Sequence, residues 1–287
     1  MPTPTLRDRM AGSRAIIAPL VLGPLSARLA AAAGFEALYL GGGSVGYDKC
    51  VTEANLNIKD MTELALDIRA VCELPLILDA AGGWGDPMHL RRTVRLAEAA
   101  GFSAIEIEDQ QLPKRAHHHV GIDHPIAMEA MVHKVREAVA ARRDPNLLII
   151  ARTNLAKTSL DEAIERALAY REAGADVLMV LTMKPDELRE VGRQVGDPLM
   201  LITDVTGVPG IGLSLEELSR LGYRLVIDPI TPLLAAHRAM RRSYAAIAAQ
   251  RADPLVNGQE RDEHASIHQT IDLEALLAIE RRTVERG

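Results

Sequence analysis

Short apolar runs alternate with longer amphipathic stretches along the whole chain. The runs are Ala15–Leu20, Ala37–Leu40, Leu74–Asp79, Ala104–Glu108, Leu147–Ala151, Asp176–Leu181, Pro198–Ile202 and Tyr223–Asp228. Each has the length and near-continuous hydrophobicity of a parallel strand buried on both faces. Between them lie helical patterns. Met88–Ala100 sets Met88, Val94, Leu96 and Ala97 among Arg91, Arg92 and Arg95. Ser159 with Glu162, and Ser214 with Glu217, have the spacing of a capping box, in which a serine and a glutamate reciprocally satisfy the free amides of a helix start. Several helical patterns stop at a glycine just before the next run, at Gly34, Gly101, Gly174 and Gly222. Glycine tolerates the left-handed conformation that closes a helix.

Eight strand–helix repeats in roughly 250 residues predict an α/β fold, a TIM (β/α)8 barrel. A doubly wound open sheet is the competing architecture and usually has fewer strands. The barrel is expected over residues 1–250. Gln250–Pro254 reads as a linker, and residues 251–287 as a C-terminal helical extension. Its apolar positions Ile271, Leu273, Leu276, Leu277 and Ile279 must be covered by the same barrel or by a neighbouring subunit.

Composition narrows the class further. Hydrophobic residues make up 48% of the 287, and the net charge is −6, which excludes extensive disorder and argues against nucleic acid as the main partner. The N-terminal residues lack the apolar core of a signal peptide, and the least charged stretch, Ala15–Gly34, is broken by prolines and an arginine. Two cysteines, Cys50 and Cys72, are too few for a disulfide framework. The expectation is a cytoplasmic protein without a membrane span.

A TIM barrel carries its reactive groups at the C-terminal ends of its strands. Asp79 and Glu108 end adjacent strands there, and two carboxylates at one mouth suit a hard divalent ion such as Mg²⁺, with Mn²⁺ as the alternative. The plainer alternative is a salt bridge to Arg152 or Lys114. Arg152, after an apolar run, can clamp a ligand carboxylate or phosphonate through its planar guanidinium, or pair with Glu106 or Glu108. Gly82, Gly83 and Gly85 read as an ordinary strand-to-helix turn rather than an anion cradle. His117, His118 and His119 are successive and cannot all face one site, so a solvated loop with one imidazole turned inward is expected. That imidazole can act as an acid. Cys72 reads as core, the methionines as core filler, and Trp84 as either a pocket roof or packing.

Taken together, Ala37–Gly43, Leu76–Gly85, Ile107–Gln110, Pro113–His118, Ile150–Thr153 and Ser26–Arg28 resemble the isocitrate lyase and phosphoenolpyruvate mutase superfamily, over residues 15 to 245. The resemblance implies a barrel whose last helix is exchanged between subunits in a homo-oligomer, a dimer of dimers. It also implies Mg²⁺, a small-molecule carboxylate substrate of the 2-oxo or 2-hydroxy class, and a metal-stabilised enolate. Position by position, Gly41, Gly42 and Gly43 match the backbone that holds the substrate carboxylate. Asp79 matches the direct metal ligand, Glu108 a second ligand often reached through water, and Arg152 the substrate-binding arginine. Lys114 and His118 match the mobile loop. The sequence departs from the pattern at Ala116, where the lyases carry a proton-donating cysteine, and at Ala81, where they carry a second aspartate. Asn55 aligns with another metal-shell aspartate, Leu181 with a glutamate and Ile202 with an asparagine. The implied function is Mg-dependent carbon–carbon cleavage of a di- or tricarboxylate, of the oxaloacetate decarboxylase or methylisocitrate lyase kind, with His118 as acid. Carbon–phosphorus chemistry on phosphonopyruvate and a catalytically eroded carboxylate-binding protein are the alternatives.

Overall fold

A computed structural model describes residues 3–285. In chain order the elements are α1 (Leu6–Met10), β1 (Ile16–Pro19), α2 (Pro24–Ala32), β2 (Leu38–Leu40), α3 (Gly42–Asp48), α4 (Ile58–Arg69), β3 (Leu76–Asp79), α5 (Pro87–Ala99) and β4 (Ala104–Glu108). They continue with α6 (Met128–Ala141), β5 (Leu148–Thr153), α7 (Leu160–Glu172), β6 (Val177–Val180), α8 (Pro185–Gln194), β7 (Leu199–Ile202), α9 (Gly207–Ile211), α10 (Leu215–Arg220), β8 (Tyr223–Asp228), α11 (Thr231–Ala248), α12 (Glu260–Thr270) and α13 (Leu273–Thr283).

The strands pair in parallel in sequence order from β2 round to β8, and β8 pairs with β1. Between β1 and β2 the ladder shrinks to a bridge at Leu20 and Tyr39, with the Val21 amide donating to the Tyr39 carbonyl over 2.9 Å. The result is a nearly closed eight-stranded TIM barrel, as the repeat pattern predicts. Each expected run contains its strand except the fifth, where β5 runs on past Ala151 through Arg152 and Thr153. The differences are one or two residues at the ends.

Side chains of a strand alternate between its two faces. One set points into the barrel: Ile16, Ala18, Tyr39, Ile77, Ala104, Leu148, Ile150, Val177, Met179, Met200, Leu225 and Ile227, with Leu6 and Met10 of α1 joining the cluster. The alternate set, including Leu38, Leu78, Ile105, Ile149, Leu178, Leu201 and Val226, packs against the helices. Of the two expected capping boxes, Ser214 and Glu217 form one in full. Ser159 caps its helix, but the Glu162 carboxylate turns to Arg166 instead. Asp109, Tyr170 and Arg166 form a buried network under β4, with the Tyr170 hydroxyl donating to Asp109 over 2.9 Å.

The chain divides into two compact units, Met1–Thr231 and Pro232–Gly287. In the second, the expected C-terminal helical extension holds α12 and α13, and Ile267, Ile271, Leu276 and Ile279 are exposed. Among the described residues no helix is long and apolar enough to cross a membrane.

Candidate active site

The alternation that fills the barrel with aliphatic side chains continues to the C-terminal ends of the strands. There it turns Asp79, Glu106, Glu108 and Arg152 inward. Register keeps them level: Asp79 lies opposite Glu106 and Glu108 opposite Arg152 on neighbouring strands. All four are buried. A cavity of about 330 Å³ opens above them, lined among others by Asp79, Arg152, Gly41, Gly43, Glu53 and His118.

Asp79 is held by backbone alone. Its Oδ1 accepts from the Ala81 amide over 2.9 Å and its Oδ2 from the Gly42 amide over 3.3 Å. Among the described residues it makes no ion pair with a basic side chain. Arg152 is tied on the inner side of the cavity: Nη1 donates to Glu106 over 2.8 Å and Nε to Asn154 over 2.8 Å, with Glu108 3.6 Å from Nε. The ion pair weighed as the alternative for Arg152 therefore exists, and Arg152 lines the cavity as well. Tyr39 donates to the other oxygen of Glu106 over 2.8 Å. Burial, then the Asp79 charge, push the Glu106 carboxyl up to about 7 despite these donors.

The acidic residue that the segment after α3 presents to the site is Glu53, not Asn55. Asn55 accepts from the Thr52 hydroxyl over 2.9 Å and closes a local turn, whereas Glu53 is 3% exposed and faces Asp79 and Lys114. Glu53, two residues before Asn55, is the acidic side chain of this segment that lines the cavity. Gly42 is required here for space, since a Cβ on it would stand 2.8 Å from Glu53 Oε1. Lys114 donates to Glu53 over 2.7 Å and contacts Glu108 Oε1. Burial alone would raise the Glu108 carboxyl, but Lys114 and Arg152 outweigh it and hold it down to about 2. Glu53 is pushed up to about 7, by burial first and Asp79 second.

Ala116–Val120 forms a 3-10 turn over the cavity. His118 is the imidazole that faces Glu53, at 3.8 Å, and Asp123, at 3.6 Å, and its Nδ1 accepts or donates no hydrogen bond. His119 bonds the Tyr47 hydroxyl over 2.8 Å, and both line the cavity. His117 pairs with His124 at 3.2 Å, away from it. Tyr47 carries no motif of its own, and only the folded chain brings it to His119. Gly83 and Gly85 serve the turn: both have positive φ, and a Cβ on either would collide with Leu90 or His89 of α5. The Gly82 carbonyl accepts from the buried Lys134 ammonium of α6. Trp84 packs against the core and lines a neighbouring cavity beside Lys114. Cys72 is buried and Cys50 exposed.

The site carries four carboxylates, Glu53, Asp79, Glu106 and Glu108, against two cations, Lys114 and Arg152. Glu53 Oε1 is buried without a hydrogen-bond partner. Such an excess of acid in a buried place suits a divalent cation. Among the described residues no three His, Cys, Asp or Glu side chains are gathered into a ready cage. The donor set therefore fits an ion that keeps much of its water and takes further oxygens from its substrate, the habit of Mg²⁺.

Comparison with known proteins agrees with this geometry. The family described as phosphoenolpyruvate phosphomutase matches residues 6–248. A 2-methylisocitrate lyase of Aeropyrum pernix is 38% identical over 240 residues, covering 82% of this chain and 76% of the relative. An oxaloacetate decarboxylase of Pseudomonas fluorescens is 36% identical over 250 residues, covering 86% and 84%. A solved phosphonopyruvate hydrolase in complex with oxalate and Mg²⁺ superimposes with a TM-score of 0.80 at 28% identity, over 98% of each chain.

Proposed function

We propose, for a chain that belongs to the phosphoenolpyruvate phosphomutase family of the isocitrate lyase superfamily, the divalent-metal-dependent cleavage of a carbon–carbon bond in a small 2-oxo or 2-hydroxy carboxylate. The observation that carries this reading is the gathering of Glu53, Asp79 and Glu108 beside Arg152 at one buried mouth, with more acid than base. Its curated relatives, a methylisocitrate lyase and an oxaloacetate decarboxylase, bear names of carbon–carbon lyases, which supports it.

Asp79, with Glu53 and Glu108, would hold Mg²⁺. The ion, when bound, draws electron density from the substrate's 2-oxygen. The rest of the work falls to the chain. Arg152, already oriented by Glu106 and Asn154, binds a carboxylate through its planar guanidinium. The backbone of Gly41 and Gly43, on either side of the Gly42 amide that holds Asp79, supplies amides to the same end of the substrate. From a 2-oxo acid the electron pair stays with the fragment that keeps the 2-oxygen, and a proton must reach the carbon that held the departing group. From a 2-hydroxy acid the hydroxyl gives up its proton and becomes a carbonyl, the pair leaves with the other fragment, and the proton must reach that fragment's carbon. His118 lines the cavity, with Nε2 3.8 Å from Glu53 and Nδ1 turned to Asp123, and is assigned that transfer, in place of the cysteine absent at Ala116. Lys114 neutralises Glu53 and Glu108.

The exposed apolar residues of α12 and α13 support a homo-oligomer, a dimer of dimers in which this segment is covered by a neighbouring subunit. Two cysteines in no disulfide support a cytoplasmic location. No feature of the site favours a phosphate-transfer partner over a carboxylate.

The test is direct. With Mg²⁺, purified protein should release pyruvate from oxaloacetate faster than the spontaneous rate, or cleave a 2-hydroxy acid, and a chelator should stop it. Asp79→Ala and Arg152→Ala should each abolish turnover. Phosphate release from phosphonopyruvate, followed by phosphorus NMR with no carbon–carbon cleavage, would replace this reading with carbon–phosphorus chemistry.

A further inference from the structure

The two sides of the barrel mouth carry different side chains at the strand ends. β3, β4 and β5 end in Asp79, Glu108 and Arg152, whereas the chain at the ends of β6 and β7 presents Leu181 and Ile202. On this second side lies another cavity, of about 420 Å³, with Leu181, Met183, Ile202 and Ala156 in its lining. Ile202 also lines the cavity above Asp79, so the two spaces share a wall.

The polar groups around the second cavity are already engaged with one another. Lys184 donates to Glu187 over 2.7 Å, and the Thr182 hydroxyl donates to the other oxygen of Glu187 over 2.5 Å. Lys157 is turned to Asp123 at 2.5 Å, the Thr203 hydroxyl donates to the Ile227 carbonyl over 3.2 Å, and Asp204 accepts from the Thr206 amide over 2.8 Å. A carboxylate entering here would find no unpaired cation and would lose its water without replacement. An alkyl group would meet aliphatic surface and lose nothing.

We infer that the substrate carries an alkyl substituent that lies in this second cavity, and that Leu181, Met183 and Ile202 determine specificity for it. The substrate class is then an alkyl-substituted 2-oxo or 2-hydroxy acid rather than a tricarboxylate. This rests on the function proposed above, which places the carboxylate end of the substrate beside Asp79 and Arg152.

Calorimetric titration of the full chain in excess Mg²⁺ tests it without relying on turnover. Oxalate reports on the charged side. Malate and its 3-methyl, 3-ethyl and 3-propyl derivatives report on the apolar side, and citrate stands for a third carboxylate. The expected result is an affinity that rises about fourfold per added methylene, the transfer value of one buried CH₂, with citrate no tighter than malate. Ile202→Asn and Met183→Ala should each flatten the series, and Met183 is 41% exposed, so its replacement leaves the core untouched. A flat series in the unaltered protein with oxalate still bound overturns the inference alone, as does citrate binding tighter than 3-propylmalate. Loss of oxalate binding as well overturns the assignment of the charged side and this inference with it.

Discussion

The two ends of the barrel interior obey one rule and reach opposite results. At the N-terminal end the inward positions are Ile77, Ala104, Leu148 and Val177, a dry aliphatic plug. Two to four residues further along the same strands, the same inward direction delivers Asp79, Glu106, Glu108 and Arg152, all of them buried. Nothing in the backbone distinguishes the two levels, since the alternation is unbroken. The difference is energetic. The lower layer gains from removing apolar surface from water, while the upper layer accepts a desolvation cost on each charge and recovers it only through partners. A fold does not need the upper layer to be charged, so its charge marks the end where chemistry is done.

The contrast breaks most severely at Arg152. Arg152→Ala leaves Glu106 buried with Tyr39 as its remaining donor, and breaking a buried pair this way costs about 3–5 kcal/mol. Denaturant unfolding should show that loss. The double variant Arg152→Met/Glu106→Gln should recover much of the stability, because neither side then carries an orphan charge, yet remain inactive. Recovery of activity together with stability would mean that the upper layer is only structural. At the lower layer, Leu148→Ala should cost about 2–5 kcal/mol through the cavity it leaves. Its kcat should stay within a few-fold of the parent below its melting temperature. A collapse of kcat there would erase the distinction between the two ends.

Asp79 sharpens the comparison from the other direction. Its carboxylate accepts only backbone amides, so its removal deletes no ion pair. Asp79→Ala should therefore fold normally and lose its response to the ion. At Mg²⁺ a hundredfold above Kd, the parent protein gains about 2.7 kcal/mol by mass action. The variant should show no Mg²⁺-dependent rise in Tm. An equal rise in both would place the ion elsewhere.

Most of the fold is legible in the sequence because it rests on local, periodic signals. Eight apolar runs and the glycines that close the helices are visible without any tertiary contact. Asp79, Glu108 and Arg152 are legible too, since each ends such a run and the barrel assigns strand ends to the site. Glu53 is not, because it lies in a short turn after α3 where no period operates. The pairing of His119 with Tyr47, and of Asn154 with Glu108, joins segments that only meet when the barrel closes. Lys114 is named by its motif, but its bridging of Glu53 and Glu108 depends on how the loop folds over the mouth. Side chains that act through long-range contacts leave no spacing to read.

The smallest expected effect concerns Lys134, a buried cation that belongs to neither layer of the barrel interior. It reaches from α6 to the Gly82 carbonyl, in the turn that follows Asp79. Burial lowers its ammonium to about 8, and Asp86 and Glu108 recover only part of the shift. In the unfolded chain the group keeps its ordinary value near 10.5. Between these two values the unfolded state binds more protons than the folded one, so folding stability from this group rises with pH. Below about 8 both states are charged and the folded protein bears the whole penalty. Lys134→Met removes the titration, so the difference between the two proteins isolates it from every other group. Unfolding followed from pH 7 to pH 10 should show the parent gaining on the variant by on the order of 2 kcal/mol. A difference that stays constant across that range would mean that Lys134 keeps its ordinary value in the folded protein and that its contact with Gly82 is open to water.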